Sequence, residues 1–183
     1  MISSSLEPCV TPSHAFDDAT KVRPYIVRYA NRFGLPSPCL SSAVAQYTLI
    51  ITILNLIWEV LQLPLYTVWT TASRGDIAFA VLHCTGGDAL IAVISLTVSL
   101  LLLRAKDWPN EKFRQVAAAA FLMGLGYTVY SEWHNTTVTQ SWAYSPAMPT
   151  LFGIGLSPVA QWIIIPAIAF WWMFRRVRTS CSH

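Results

Sequence analysis

The chain has 183 residues and a net charge of +3, with 54% hydrophobic and only 11% charged residues. Soluble domains carry about 25% charged residues, so this composition excludes an ordinary water-soluble domain and predicts a membrane protein. We interpret the small positive charge as a device for membrane orientation, which requires no nucleic-acid partner.

The first part of the chain, residues 1–41, has no continuous apolar run and therefore no evident signal peptide. Apolar residues recur there at helical spacing among basic ones: Val22, Ile26, Ala30 and Phe33. The pattern suits either a helix lying on an anionic leaflet or a partly ordered tail. We expect 1–41 to be a cytosolic tail, 42–177 a transmembrane domain and 178–183 a short cytosolic tail.

Four apolar stretches approach or exceed the roughly 20 residues needed to cross a bilayer core. They run over Ala43–Leu63, Ala78–Leu103, Val116–Trp133 and Leu156–Met173. The third is short and contains two glycines, and the second is interrupted near its start by the letters HCTGGD. The sequence predicts an all-α fold, a polytopic bundle of four transmembrane helices.

The basic residues indicate how such a bundle is oriented. They precede the first span, separate the second from the third, and follow the fourth: Lys21, Arg23, Arg28, Arg32, Arg104, Lys106, Lys112, Arg114, Arg175, Arg176 and Arg178. The other two loops hold only Arg74. Because loops rich in Lys and Arg stay on the cytosolic side, we expect both termini in the cytosol. The membrane would be a bacterial inner membrane or that of the endoplasmic reticulum.

Three carboxylates lie in or at the mouths of these apolar stretches: Glu59, Asp88 and Glu132. On insertion scales a charge at the centre of a span costs about 2.5–3.5 kcal/mol, so three acids on three segments require a reason. In the expected topology all three lie toward the extracytosolic face. We predict that they share a buried pocket and are its catalytic candidates.

Each acid also has a purely structural interpretation. Glu59 could join helices through polar neighbours, Asp88 could cap a helix after Gly86 and Gly87, and Glu132 could be a solvated residue at a helix end.

Polar and aromatic side chains at the same depth are the candidates for binding a substrate. They are Asn55, Trp58, Gln62, His83, Tyr127, Tyr130, His134, Trp142, Tyr144, Gln161 and Trp162. An interfacial belt of Trp and Tyr is the alternative for the aromatic members. The aromatic- and proline-rich loop after the third span predicts a packed lid in which Trp142, Tyr144 and Met148 close the mouth of the bundle.

The segment NLIWEVLQLPLY, with Asn55 four residues before Glu59, resembles the emopamil-binding, sterol-isomerase-like membrane proteins of the EXPERA family. Asp88 among small residues, the run GLGYTVYSE, and a last span with Trp162 and Pro166 extend the likeness over residues 43–173. A similar outline occurs in small lycopene-cyclase-like membrane enzymes.

The resemblance implies a reaction in which an isoprenoid or sterol alkene is protonated and the carbocation is then controlled. Such chemistry needs a carboxylic acid kept protonated by burial, aromatic faces or a second carboxylate near the cation, and a water-poor cavity. Glu59 would be the acid and Asp88 or Glu132 its ionised partner. The expected partners are the bilayer, an apolar small molecule and a second copy of the chain; no cofactor is implied.

Two alternatives stay open at this point. The acids could hold an amphiphilic ligand or a partner helix without catalysis, which Asn55 favours because it stands where a catalytic family would have His. A metal or haem site built on His83 and His134 is the second alternative.

Overall fold

The structure is a computed structural model that describes the backbone of residues 38–180 and the side chains of residues 40–176. The expected surface helix around residues 22–33 and the terminal residues 181–183 lie outside this range.

The described chain is mostly helical, as predicted. Its elements are helix α1 (Pro38–Gln62), a 3-10 turn (Leu63–Leu65), α2 (Val68–Thr71), α3 (Arg74–Leu102), α4 (Phe113–Trp133), a π-helical turn (His134–Val138), strands β1 (Thr150–Leu151) and β2 (Ile154–Gly155), and α5 (Leu156–Ser180). Three segments are long and apolar enough to cross a membrane, as expected of an integral membrane protein: Leu40–Leu65, Arg74–Leu102 and Leu156–Arg176. Helix α4 is not among them.

Helix α3 runs without a break through the HCTGGD segment. Its N-cap is Ser73, whose hydroxyl accepts a hydrogen bond from the Asp76 amide. Asp88 therefore lies inside the helix and does not cap one. A glycine costs a helix about 1 kcal/mol relative to alanine, whereas a break among apolar residues would leave several backbone groups unsatisfied. The second cost is larger, and the helix continues.

One end of the bundle is filled by apolar and aromatic packing. Tyr47 of α1 stacks on Phe170 of α5 with ring centroids 4.9 Å apart. The Phe113 ring meets Phe170 edge-on and stacks on Trp108, which is fully buried. We call this half, which includes Ile51, Leu96, Val116 and Met173, the core end. The half where α1 and α4 end and α5 begins is the site end.

Helices α4 and α5 approach closely at Gly124. A Cβ built on that glycine would lie 2.1 Å from Cζ3 of Trp162, far inside van der Waals contact. Only a glycine therefore lets the indole of Trp162, which is 3% exposed, lie across α4. This contact fixes the ring that reaches toward the site end.

The loop after α4 packs against the end of α1. The Thr67 amide donates to the Ala143 carbonyl at 3.0 Å, and the Ser145 amide donates to the Leu65 carbonyl at 2.9 Å. Met148 is buried, and β1 and β2 form a short antiparallel hairpin that leads into α5. The loop is a packed segment, although the sequence did not predict its hairpin.

Gly124→Ala should lower the thermal stability of the purified protein, because the added methyl group overlaps Trp162. Overpacking of this kind costs about 1–3 kcal/mol. Gly126→Ala is the matched control, since nothing lies within 4 Å of its Cβ position in the same helix. Equal melting temperatures for the two variants would contradict the close approach.

Candidate functional site

The side-chain amide of Gln161 joins three acceptors from two other helices. Its Nε2 donates to Oδ1 of Asn55 at 2.8 Å, to Oδ2 of Asp88 at 2.9 Å and to Oε1 of Glu59 at 3.1 Å. Gln161 is only 2% exposed. The two carboxyls, which belong to α1 and α3, thus meet at one nitrogen atom. Oε1 of Glu59 and Oδ2 of Asp88 are therefore close neighbours, since both accept from the same nitrogen, at 3.1 Å and 2.9 Å.

Gln62 supports the same network from the end of α1. Its Nε2 donates to Oε1 of Glu59 at 2.9 Å and to Oε1 of Gln161 at 3.3 Å. Its own Oε1 accepts a hydrogen bond from the Ser157 hydroxyl at 2.8 Å. Since Glu59 and Gln62 are three residues apart, they lie on one face of α1. The register of α1 against α5 is thereby fixed by polar contacts.

Asp88 receives a donor on each oxygen. Besides Gln161 on Oδ2, the indole Nε1 of Trp162 donates to Oδ1 at 3.0 Å. The glycine contact described above fixes Trp162 and therefore the direction of this donor. Asp88 is thus held on both oxygens by neutral N–H groups.

Glu132, the third acid, is held by the loop that follows α4. The Tyr144 hydroxyl donates to Oε2 of Glu132 at 2.5 Å and accepts from the Gly155 amide at 2.9 Å. Burial and the neighbouring Glu132 raise the pKa of the Tyr144 phenol, so it stays protonated and remains a donor. Gly155 is required because a Cβ there would lie 2.9 Å from the Tyr144 ring.

All three acids line one cavity of about 620 Å³ at the site end, within the range of about 300–1,000 Å³ typical of small-molecule sites. Further residues from the predicted set share its wall: Gln62, His83, Tyr127, Trp142, Gln161 and Trp162. Among the described residues, the wall includes no Lys or Arg. The cavity is therefore acidic without a compensating cation in its lining.

The cavity has an exposed margin on the sides of α3 and α4. Phe79 and Leu90 of α3 and Tyr127 of α4 line it while being 68%, 60% and 52% exposed. Gly87 and His83 belong to the same exposed stripe of α3. These two helices therefore border an opening in the side of the bundle.

Five predicted site residues do not line the cavity. Asn55 and Tyr144 are hydrogen-bonded to residues that do line it, Asn55 to Gln161 and Tyr144 to Glu132. Trp58 packs on the core and donates to the Ser157 hydroxyl at 3.3 Å. Tyr130 and His134 pack on each other on another face of the α4 region, with Tyr130 54% exposed. Both lie two residues from Glu132, and residues so spaced do not share a helix face.

Thr128, Ser157 and Tyr66 belong to the site although they were not predicted as site residues. Thr128 and Tyr66 line the cavity, and Ser157 joins Gln62 to Trp58. Thr128 could have been predicted from the sequence, because it lies one helical turn before Glu132 and therefore on the same face of α4. Ser157 could not, since its role depends on how α1 and α5 pair.

Gln161→Leu should destabilise the protein, because Oδ1 of Asn55 and Oδ2 of Asp88 lose the donor that reaches them, whereas Oε1 of Glu59 keeps its bond from Gln62. Each buried polar group left unsatisfied costs about 1–3 kcal/mol, so the melting temperature in detergent should fall by several degrees. Gln46→Leu is the control, since the Gln46 amide makes an exposed bond to Ser42 at 3.3 Å. A stable Gln161→Leu protein would show that the network contributes little.

The two candidate metal ligands, His83 and His134, both pack against aromatic rings. His83 stacks on Phe79 and His134 packs on Tyr130. Within the described residues no group of three or more His, Cys, Asp or Glu side chains is arranged to hold a metal ion.

Comparison with family models, curated proteins and solved structures finds no match to this chain. The geometry of the cavity is therefore the main indication of its function.

Proposed function

We propose that the protein is an integral-membrane isomerase or cyclase that protonates an alkene of an isoprenoid, terpenoid or sterol-like lipid, as the likeness to the EXPERA and lycopene-cyclase-like proteins implies. The observation that carries the proposal is the meeting of Glu59 and Asp88 at the Gln161 amide, in the wall of a cavity with no Lys or Arg among its described residues. An acid pair in the wall of such a cavity can donate a proton and recover it.

In this proposal α4 crosses the membrane as a fourth span, with both termini in the cytosol and the cavity in the outer half of the bundle. The distribution of Lys and Arg supports this topology. The length of α4, 21 residues, is sufficient for a bilayer core of about 30 Å at 1.5 Å per residue.

The hydrogen bonds support a proton held between the two carboxyls. The Gln161 amide has two hydrogens but faces three acceptor oxygens. A proton on one carboxyl removes this excess of acceptors, and two adjacent carboxylates without a cation cannot both be ionised at low cost. Each Asp88 oxygen accepts an N–H, whereas both N–H groups that reach Glu59 bond its Oε1. In this proposal the proton therefore lies on Glu59 and the charge on Asp88.

The proposed reaction begins with proton transfer from the Glu59 carboxyl to one alkene carbon. A C–H bond forms, the π bond breaks, and the neighbouring carbon becomes a cation while Glu59 becomes a carboxylate. In an isomerase, Asp88 then removes a proton from an adjacent carbon and a new double bond forms. In a cyclase, a second alkene first attacks the cation. Proton return from Asp88 to Glu59 restores the enzyme, so the product is an isomer of the substrate.

The walls suit a cationic intermediate. The aromatic rings of Trp162, Trp142 and Tyr127 line the cavity and would offer quadrupole stabilisation, and an ionised Asp88 would offer direct charge stabilisation. The side opening between α3 and α4 would admit a lipid from the bilayer without passage through water.

A second candidate function is binding of an amphiphilic amine without turnover. The specific observation in its favour is the same acidity: three carboxyls line the cavity without a Lys or Arg among the described residues of its wall. A ligand ammonium group would compensate them. Ligand-dependent thermal stabilisation without product formation distinguishes this candidate from the enzyme.

Glu59→Gln should abolish turnover, because the amide cannot donate a proton of carboxylic acidity. General acid catalysis contributes about 10²–10⁴-fold, so we expect at least a hundredfold loss. The assay incubates membranes containing the protein with candidate polyprenyl and sterol-like alkenes and detects isomers by mass spectrometry with chromatography. Glu111→Gln, an exposed change in the loop before α4, is the control. Unchanged turnover in Glu59→Gln eliminates the proposed acid.

Gly87→Leu should slow substrate entry by obstructing the side opening, whereas Gly86→Leu should not. Both glycines are exposed in the same turn of α3, and nothing lies within 4 Å of either Cβ position. Only Gly87 lines the cavity. We expect a selective fall in kcat/KM for the first variant at equal thermal stability. Similar kinetics in both variants would place the entrance elsewhere.

A further inference from the structure

Four buried polar side-chain atoms have no hydrogen-bond partner among the residues that the structure describes. They are Oγ1 of Thr85, Nε1 of Trp108, Oγ1 of Thr128 and Nε1 of Trp142. Leaving a buried donor or acceptor unsatisfied costs about 1–3 kcal/mol, so each atom requires an explanation. Two of the four, Thr128 and Trp142, line the cavity.

The Thr128 hydroxyl is enclosed yet unused. The residue is 6% exposed, and its Oγ1 does not bond back to the helix carbonyl that buried helical threonines often use. Elsewhere in the structure Thr48, Thr52 and Thr136 each make that bond, at 2.6–2.9 Å. Thr128 therefore keeps both a donor and acceptor capacity beside the cavity.

The indole of Trp142 presents the second unused group. It can only donate, and its N–H is attracted to the nearby Glu132 carboxyl although the two do not meet the geometry of a full hydrogen bond. Thr128 lies one helical turn from Glu132 on the same face of α4. Both groups therefore line the cavity in the neighbourhood of Glu132, whose Oε2 is taken by Tyr144.

We propose that Thr128, Trp142 and Glu132 form a subsite for the hydroxyl group of an otherwise apolar lipid. A hydroxyl is the group that fits this set: its oxygen accepts from the Trp142 N–H, and its hydrogen donates to the Glu132 carboxylate or to Thr128 Oγ1. A hydrocarbon would leave the Trp142 N–H and the Thr128 hydroxyl unsatisfied. This inference rests on the proposed function, because it assigns the substrate class of the same cavity: a lipid alcohol.

The subsite gives the cavity two chemically different regions. The Glu132 region carries the donors that recognise an oxygen, and the Glu59–Asp88 pair faces the remaining hydrocarbon. Recognition of one end would place a double bond farther along the chain at the acid pair. Discrimination against the analogue that lacks the hydroxyl follows, since a site built to hydrogen-bond a group rejects the ligand without it.

The test compares binding of two tritium-labelled probes to the full-length protein in detergent: geranylgeraniol and the hydrocarbon in which its CH2OH group is replaced by a methyl group. All variants are made in the Glu59→Gln protein, where the proposed proton donor is absent, so that binding is measured apart from turnover. The protein is expected to bind the alcohol about tenfold more tightly than the hydrocarbon. Thr128→Val and Trp142→Phe should each weaken alcohol binding about 3- to 10-fold and leave hydrocarbon binding unchanged.

Matched controls come from the other two unpartnered atoms. Thr85→Val and Trp108→Phe remove the same chemical groups from buried positions outside the cavity wall, so they should not change the ratio of the two affinities. Melting temperatures report whether each variant folds; if Thr128→Val does not, Thr128→Ser, which keeps the hydroxyl, must retain the ratio of the unchanged protein.

Equal binding of the two probes, or binding of neither, overturns the subsite. A Thr128→Val effect that is the same for both probes also overturns it, because that result reports packing. These outcomes are separate from the proposed enzyme activity, which stands or falls with turnover in the Glu59→Gln variant. A discriminating subsite in a protein without turnover would indicate a lipid-alcohol binder.

Discussion

The amide nitrogen of Gln161 is the point on which the site end depends. It holds Asn55 and Glu59 of α1 and Asp88 of α3 to α5 at 2.8–3.1 Å. In an apolar medium these groups cannot exchange a lost partner for water, so the bonds fix how the three helices pair. The same bonds bring the two carboxyls together. The interaction that assembles the bundle is therefore also the one that creates its candidate chemistry.

Apolar packing fills the core end of the bundle and polar contacts fill the site end, and the polar contacts depend on the packing. At the core end, Tyr47, Phe113 and Phe170 fill the space between helices. Between the two ends, Gly124 lets Trp162 lie against α4, and that ring delivers its N–H to Asp88. A carboxyl group is thus satisfied by a donor whose direction is set by apolar contact. A change in the packing of α4 on α5 is consequently a change in the electrostatics of the cavity.

The fold was largely predictable because apolar runs of this length have few alternatives to a helix. The four long helices were located, with ends displaced by several residues where polar segments such as 74–76 extend them, whereas the short α2 was not predicted. The site was predictable in part: carboxylates in apolar runs are costly enough to require partners, which identified Glu59 and Asp88. Tyr130 was predicted to line the cavity because it lies at the same depth as Glu132. It does not, because residues two apart in a helix point to different faces. Ser157 and the β1–β2 hairpin depend on tertiary pairing, for which a single sequence contains no signal.

The three acids have different surroundings, which indicates a cavity with two chemically different ends. Asp88 is held by Gln161 and Trp162 within the helix bundle, whereas Glu132 is held by Tyr144 of a loop that is itself fixed through Gly155. A pocket that binds only a simple cation would not need its acids to be held in different ways. Donors without partners occur in the wall beside Glu132, while the oxygens of Asp88 already have theirs. If the cavity takes a lipid, its polar group is therefore best satisfied beside Glu132, and its hydrocarbon extends toward Glu59 and Asp88.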